Sequence, residues 1–176
     1  MLARIGVVPC AVDPADLDET PKKGETPRVY AVRIAAEKAR LVAARHGGEV
    51  VLAADTVVGV GRRILPKAED ESSARACLTL LSGRRHTVHT AVSVIDAHGT
   101  ARHRLSSTIL TFKRLSEREI ADYLISREWH GKAGGYAVQG RAEAFVRFLS
   151  GSHSGVIGLP LFETRGLLLA SGIGVA

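Results

Sequence analysis

An α/β fold with a mixed sheet flanked by helices is what this sequence predicts, on three observations. The run Val50–Val58, VVLAADTVV, is near-continuous and valine-rich. It lies between Gly47-Gly48 and the glycines Gly59 and Gly61, the pattern of a strand buried on both faces. The segments after Thr26 and after Asp70 place apolar residues at helical spacing. Two strands, over about 87–95 and 105–112, flank the turn Asp96-Ala-His-Gly99 and read as an antiparallel pair. Strands alternating with helices, plus one hairpin, give the α/β class.

In chain order, Met1–Gly6 has the pattern of a last helical turn closed by glycine, and Val7-Val8 opens a strand. One turn cannot nucleate a helix alone, so the chain is expected to be truncated ahead of Met1. An acidic, proline-punctuated loop follows over 13–21. Thr26 and Pro27 supply an N-cap and a first-turn proline for a helix running to about His46. Its apolar stripe is Tyr30, Ile34, Leu41 and Val42, with Arg33, Glu37 and Arg40 on the solvated side. Lys38, four residues from both Ile34 and Val42, falls on the apolar stripe and is assigned to a cleft. After the central strand comes a short return to Pro66-Lys67. Asp70 then caps a helix with the stripe Ala74, Cys77, Leu78, Leu81, closed by Gly83. Ser116 and Glu119 form a capping box for a short helix with Ile120, Tyr123 and Leu124 inward. A glycine-rich loop spans 131–140, where four glycines permit close backbone approach to a ligand. A strand near 144–149, a loop over 151–155 and a final helix from about Leu161 complete the chain.

At 176 residues the chain reads as one domain, 1–176, large enough for a core without staples. Cys10 and Cys77 give neither a disulfide framework nor metal-ligand spacing. No apolar run spans a bilayer and no cleavable signal pattern is present, so a soluble, cytoplasmic protein without a membrane partner is expected. The formal charge of +6 favours anionic partners. Basic residues are scattered and aromatics amount to 5%, too few for stacking platforms, so a small anion fits better than nucleic acid.

The groups that can do chemistry are Asp18, Glu19 and Asp55, with Lys38, Lys67 and Lys132, and Gln139 among the glycines. Asp55 stands near the middle of the buried strand, where a carboxylate is costly unless paired, hydrogen-bonded or metal-bound. Carboxylates that can hold Mg²⁺, beside lysines for phosphate oxygens, are the equipment of metal-dependent phosphoryl or nucleotidyl chemistry. Neither a Walker A loop nor a GxGxxG is present. The histidines show no ligand-like spacing and read as surface or strand residues.

The motifs Asp18-Glu19, Glu37-Lys38-Ala39, Ala54-Asp-Thr-Val-Val58 and Leu81-Ser-Gly-Arg-Arg-His86 are followed by Lys132-Ala-Gly-Gly-Tyr136, Gln139-Gly140, Gly151-Ser152 and Gly158-Leu-Pro-Leu161. In this order, across nearly the whole chain, they resemble the Maf-like nucleoside triphosphate pyrophosphatases, also called septum formation inhibitor proteins. The resemblance implies a Maf/ITPase-like fold with a substrate cleft, and hydrolysis of nucleoside triphosphates to the monophosphate and pyrophosphate in nucleotide-pool cleansing. It further implies a divalent cation (Mg²⁺ or Mn²⁺) and a homodimer. Asp55 matches the position regarded there as proton acceptor. The glycine-loop form resembles the subgroup acting on dTTP and UTP, in which Thr56 and Gln139 match positions tied to base preference. The family's N-terminal strand and Ser-x-Ser-Pro-Arg-Arg loop are not in this sequence. Ala68 follows Lys67 where proline is usual, and His153 and Gly155 stand where an aromatic and an asparagine are commoner.

On this reading Glu19 and Asp55 hold the metal, Lys38 and Lys67 neutralise phosphate charge, and Thr56, Gln139 and Lys132 bind substrate. Asp55 as base and Asp55 as metal ligand stand as coupled alternatives. The competing class is a catalytically impaired nucleotide- or nucleic-acid-binding protein.

Overall fold

The computed structural model describes residues 1–175. The chain opens with a 3₁₀ turn, Leu2–Ile5, closed by Gly6 in the left-handed region at φ 70°. Val7 and Val8 then run as irregular chain rather than the expected strand, with Val8 exposed. Helix α1 (Pro27–Ala43) starts at the expected Thr26-Pro27, and Tyr30, Ala31, Ile34, Ala35 and Ala39 are its buried face. Leu41, placed on that stripe by periodicity, is exposed.

Strand β1 (Val51–Val60) runs straight past Asp55, and Gly61 at φ 58° turns it into β2 (Arg63–Leu65). A two-residue strand β3 (Lys67–Ala68) follows. Helix α2 (Glu71–Leu81) is capped by Asp70, whose carboxylate accepts from Ser73 N at 2.7 Å, and buries the expected Ala74, Cys77, Leu78 and Leu81. The hairpin β4 (Arg85–Ile95) and β5 (Ala101–Phe112) turns at Asp96–Gly99. Helix α3 (Glu117–Ser126) carries the complete Ser116–Glu119 capping box. Next come β6 (Lys132–Ala133), a 3₁₀ turn over Arg141–Phe145 and β7 (Val146–Ser150). The segment read as a loop over 151–155 instead gives a short helix α4 (His153–Ile157), and α5 (Leu161–Ala170) closes the fold.

The sheet order is β2-β1-β4-β5-β7, with helices on both faces; β3 and β6 make a separate ribbon. The sequence predicts a mixed sheet, yet every pairing among the described residues is antiparallel. The return through β2 and α2 leaves the chain at the carboxyl end of β1, where Gly59 faces Thr87, so β4 must run the opposite way. On the side away from β4, β1 is paired only over Val58–Val60, which leaves its edge open at Asp55 and Thr56 among the described residues.

Side chains alternate across β1. Val57 faces α1 with Tyr30, Ile34 and Ala91. Val58 faces the other side, in the main core with Val88, Leu78, Leu110 and Phe112. Ala54 and Leu52 lie toward α5 with Val92, Val94 and Leu168. No helix among the described residues is long and apolar enough to cross a membrane.

Candidate functional site

The alternation of β1 sends Asp55 to the α1 face and Thr56 to the opposite one. Asp55 is only 5% exposed. Lys38 lies on the buried face of α1 between Ala35 and Ala39, so its ammonium meets the acid: Nζ to Asp55 Oδ1 is 2.8 Å. The same Nζ is 2.7 Å from Glu19 Oε1, and Lys67 Nζ reaches Glu19 Oε2 at 2.6 Å. The result is an alternating chain, Asp55–Lys38–Glu19–Lys67, running from a buried strand out to solvent. The cleft-facing expectation for Lys38 is met in this geometry.

Glu19 sits on an irregular loop held by α1. The Tyr30 hydroxyl donates to the Glu19 carbonyl at 2.8 Å. Arg33 binds Glu25 through two nitrogens, each at 2.7 Å, and donates to the Thr20 carbonyl. Arg33, placed on the solvated side by periodicity, is thus the clamp of this loop. Asp18 accepts from Thr20 N and Oγ1 and closes a local turn apart from the ion-pair chain.

Burial pushes the Asp55 carboxyl above the ordinary aspartate range, against the opposing pull of Lys38. For Glu19 burial acts in the same sense, but hydrogen bonds from Lys38 and Lys67 outweigh it and hold the group low. Burial would lower Lys38, yet Asp55 and Glu19 together raise it. One ammonium serves two acids, so neither carboxylate has it alone, and the better-buried acid is the one left hard to ionise. Asp55 Oδ2 is buried with no hydrogen-bond partner.

Two contiguous clefts of about 270 and 300 Å³ share Asp55, Thr56, Lys67 and Ala133, crossing the open edge of β1. One half adds Glu19 and Tyr30; the other adds Lys38, Lys132, Tyr136 and Gln139. The β3–β6 ribbon pairs Lys67 with Ala133 and Ala68 with Lys132, tying two distant lysine segments to one wall. All the residues singled out from the sequence except Asp18 therefore meet at one cleft. The Gln139 amide engages no backbone group of its loop among the described residues.

Gly131 lines the cleft with nothing within 4 Å of where a Cβ would stand, whereas the next two glycines of that loop serve packing. Gly134 and Gly135 lie at φ 66° and 68°, where a side chain would press on Val58 or on the Ala74 backbone of α2. Periodicity also gave no sign of His86, which is 2% exposed, with Nε2 2.9 Å from the Tyr136 hydroxyl. Burial lowers its pKa to about 4. It faces Leu110 in the β4–β5 register, on the same face as Val88 and Phe112.

A hard divalent cation fits this donor set. Asp55 and Glu19 converge on a single cation already, and Asp55 Oδ2 is a buried oxygen that lacks a partner. Magnesium is held by one or two carboxylates plus substrate phosphates rather than by an all-protein cage. No cluster of three or more acidic, histidine or cysteine ligands occurs among the described residues.

The profile of the family described as "Maf-like protein" matches residues 1–171. A protein of Novosphingobium aromaticivorans named dTTP/UTP pyrophosphatase is 65% identical over 99% of this chain and 87% of its own length. Proteins of the same name from Zymomonas mobilis and Rhodospirillum rubrum are 62% and 59% identical, each over 98% of this chain and 85% and 82% of theirs.

Proposed function

Because the chain belongs to the Maf-like family, and because its cleft joins a buried acid to a run of lysines, we propose that it is a nucleoside triphosphate pyrophosphatase acting on dTTP and UTP. The relatives' names supply the substrates. The observation that carries the chemistry is the alternating chain Asp55–Lys38–Glu19–Lys67 at the cleft.

In this reading a water attacks the α-phosphorus and pyrophosphate leaves. Asp55, with its carboxyl raised by burial, is better matched to accept the water's proton near neutrality than an ordinary aspartate. Lys38 and Lys67, released from the acids by a polyanion, neutralise charge on the phosphate oxygens, and Lys132, on the same ribbon as Lys67, adds a third cation. Glu19 and Asp55 are the residues that would hold Mg²⁺ or Mn²⁺, which when bound would offset triphosphate charge and polarise the phosphoryl oxygen. Base and metal ligand remain coupled roles for Asp55, since a cation beside it would pull its pKa back down. The Gln139 amide offers a donor and an acceptor to a pyrimidine edge.

The test is product analysis with dTTP, UTP, CTP and ATP in the presence of Mg²⁺ or Mn²⁺. Pyrophosphate and nucleoside monophosphate in equal amounts are expected, fastest with dTTP and UTP. Orthophosphate as product would move the cleavage to the terminal phosphate and overturn the pyrophosphatase assignment, and salt-sensitive binding to long DNA or RNA without turnover would overturn it in favour of the binding class.

A further inference from the structure

Thr56 and Thr90 are register partners on β1 and β4, with their hydroxyl oxygens 2.9 Å apart. Thr90 is buried, and its hydroxyl lies 2.7 Å from the carbonyl oxygen of Gly155 in α4. A carbonyl can only accept, so the single Thr90 proton goes to Gly155. The Thr56–Thr90 contact then has one solution: Thr56 donates and Thr90 accepts. With its proton committed inward, Thr56 presents only lone pairs to the cleft it lines.

We propose that Thr90 is a positioning residue for pyrimidine choice, holding Thr56 as an obligate acceptor for the N3–H of uracil or thymine. This rests on the dTTP/UTP reading above. Cytosine carries a lone pair at N3, so the fixed Thr56 oxygen would meet it acceptor to acceptor. A buried polar group left facing a like group discriminates far more strongly than a change of size. Thr90 also helps seat α4, but that duty is shared: Thr108 Oγ1 accepts from Ser152 N at 2.9 Å and donates to the Ser152 carbonyl at 3.2 Å.

The experiment is the ratio of kcat/KM for UTP over CTP in wild type, Thr90→Val, Thr90→Ser and Thr108→Val. Removing the acceptor frees the Thr56 proton to point outward, so Thr90→Val should lower the ratio by about tenfold or more, while Thr90→Ser and Thr108→Val stay within about threefold of wild type. In a Thr56→Val background, Thr90→Val should leave the ratio unchanged. Wild type should also turn over 3-methyluridine triphosphate at least about tenfold less efficiently than UTP, a readout independent of any variant's folding. An unchanged ratio in Thr90→Val, an equal shift in Thr108→Val, or equal use of the N3-methylated substrate would overturn the inference while leaving the pyrophosphatase assignment intact. If wild type releases no pyrophosphate from UTP or dTTP, the assignment itself fails and takes this inference with it.

Discussion

Replacing His86 by Phe should flatten the acid dependence of stability. His86 is buried against Phe112 and Tyr136, with ring centroids at 4.9 and 5.6 Å, and its pKa falls to about 4 from the ordinary 6.5. Burial is the cause: the folded protein holds the ring neutral while the unfolded chain protonates it freely. Stability from this source is present above pH 6.5 and declines as pH falls from there toward 4. The shift spans about 2.5 pH units, and each unit is worth about 1.4 kcal/mol, so roughly 3 kcal/mol is at stake. That is a large part of a typical 5–15 kcal/mol total. Urea unfolding at pH 7 and pH 4.5 measures it. Wild type should lose about 2–3 kcal/mol more than His86→Phe across that interval. The variant's absolute stability also drops, because the Tyr136 hydroxyl loses its hydrogen-bond partner, but the difference in slope depends only on the titration of the ring. Parallel pH profiles would show that the ring is protonated in place, and the account of its burial would be wrong.

Asp55→Asn should leave less than about a tenth of the turnover, a barrier rise above roughly 1.4 kcal/mol, whether Asp55 acts as base or as metal ligand; a milder loss in steady-state assays would move the chemistry elsewhere. Gln139→Glu should slow dTTP and UTP selectively relative to other triphosphates, whereas uniform loss would reassign Gln139 to loop structure. Gly135→Ala should lower stability by at least about 1 kcal/mol in chemical denaturation, because its φ of 68° is unfavourable for a side chain and the added methyl would meet the Ala74 backbone at 3.2 Å. Asp96 is held near pKa 2 by Arg102 and by the Thr100 and His98 amides, so its contribution to stability is present above about pH 4 and lost as pH falls through 2. Asp96→Asn should remove that portion of the acid transition, and an unchanged transition would contradict the pairing.

Features governed by near neighbours along the chain are legible in the sequence alone. The caps at Asp70 and Ser116, the α2 stripe and the course of β1 through Asp55 all depend on residues within one or two turns. Lys38 is legible because a charged residue breaks an apolar stripe. What stays hidden depends on partners far along the chain. The β3–β6 ribbon joins residues 67–68 to 132–133 with two residues per strand, too few to show alternation. Helix α4 is five residues long, and its seat is made by threonines of β4 and β5 rather than by its own propensity. The antiparallel sheet follows from where the chain is left after β2, not from any strand's composition. Arg33 reads as solvated because its partner, Glu25, lies before the helix begins.

Asp55 and Thr56 are consecutive residues facing opposite sides of one extended strand, so the carboxylate and the hydroxyl sit a single residue step apart on one ladder. On the proposed reading, selectivity and chemistry share one mechanical frame. A nucleotide whose base is refused at Thr56 cannot slide independently of the acid; it presents its α-phosphate at the wrong offset. Discrimination should then appear more in kcat than in KM, since a wrong pyrimidine can still bind through its triphosphate yet seldom reach attack geometry. A swap of loops around the cleft would retune affinity, but altering the choice of base without slowing the reaction would require changes on both sides of the same strand.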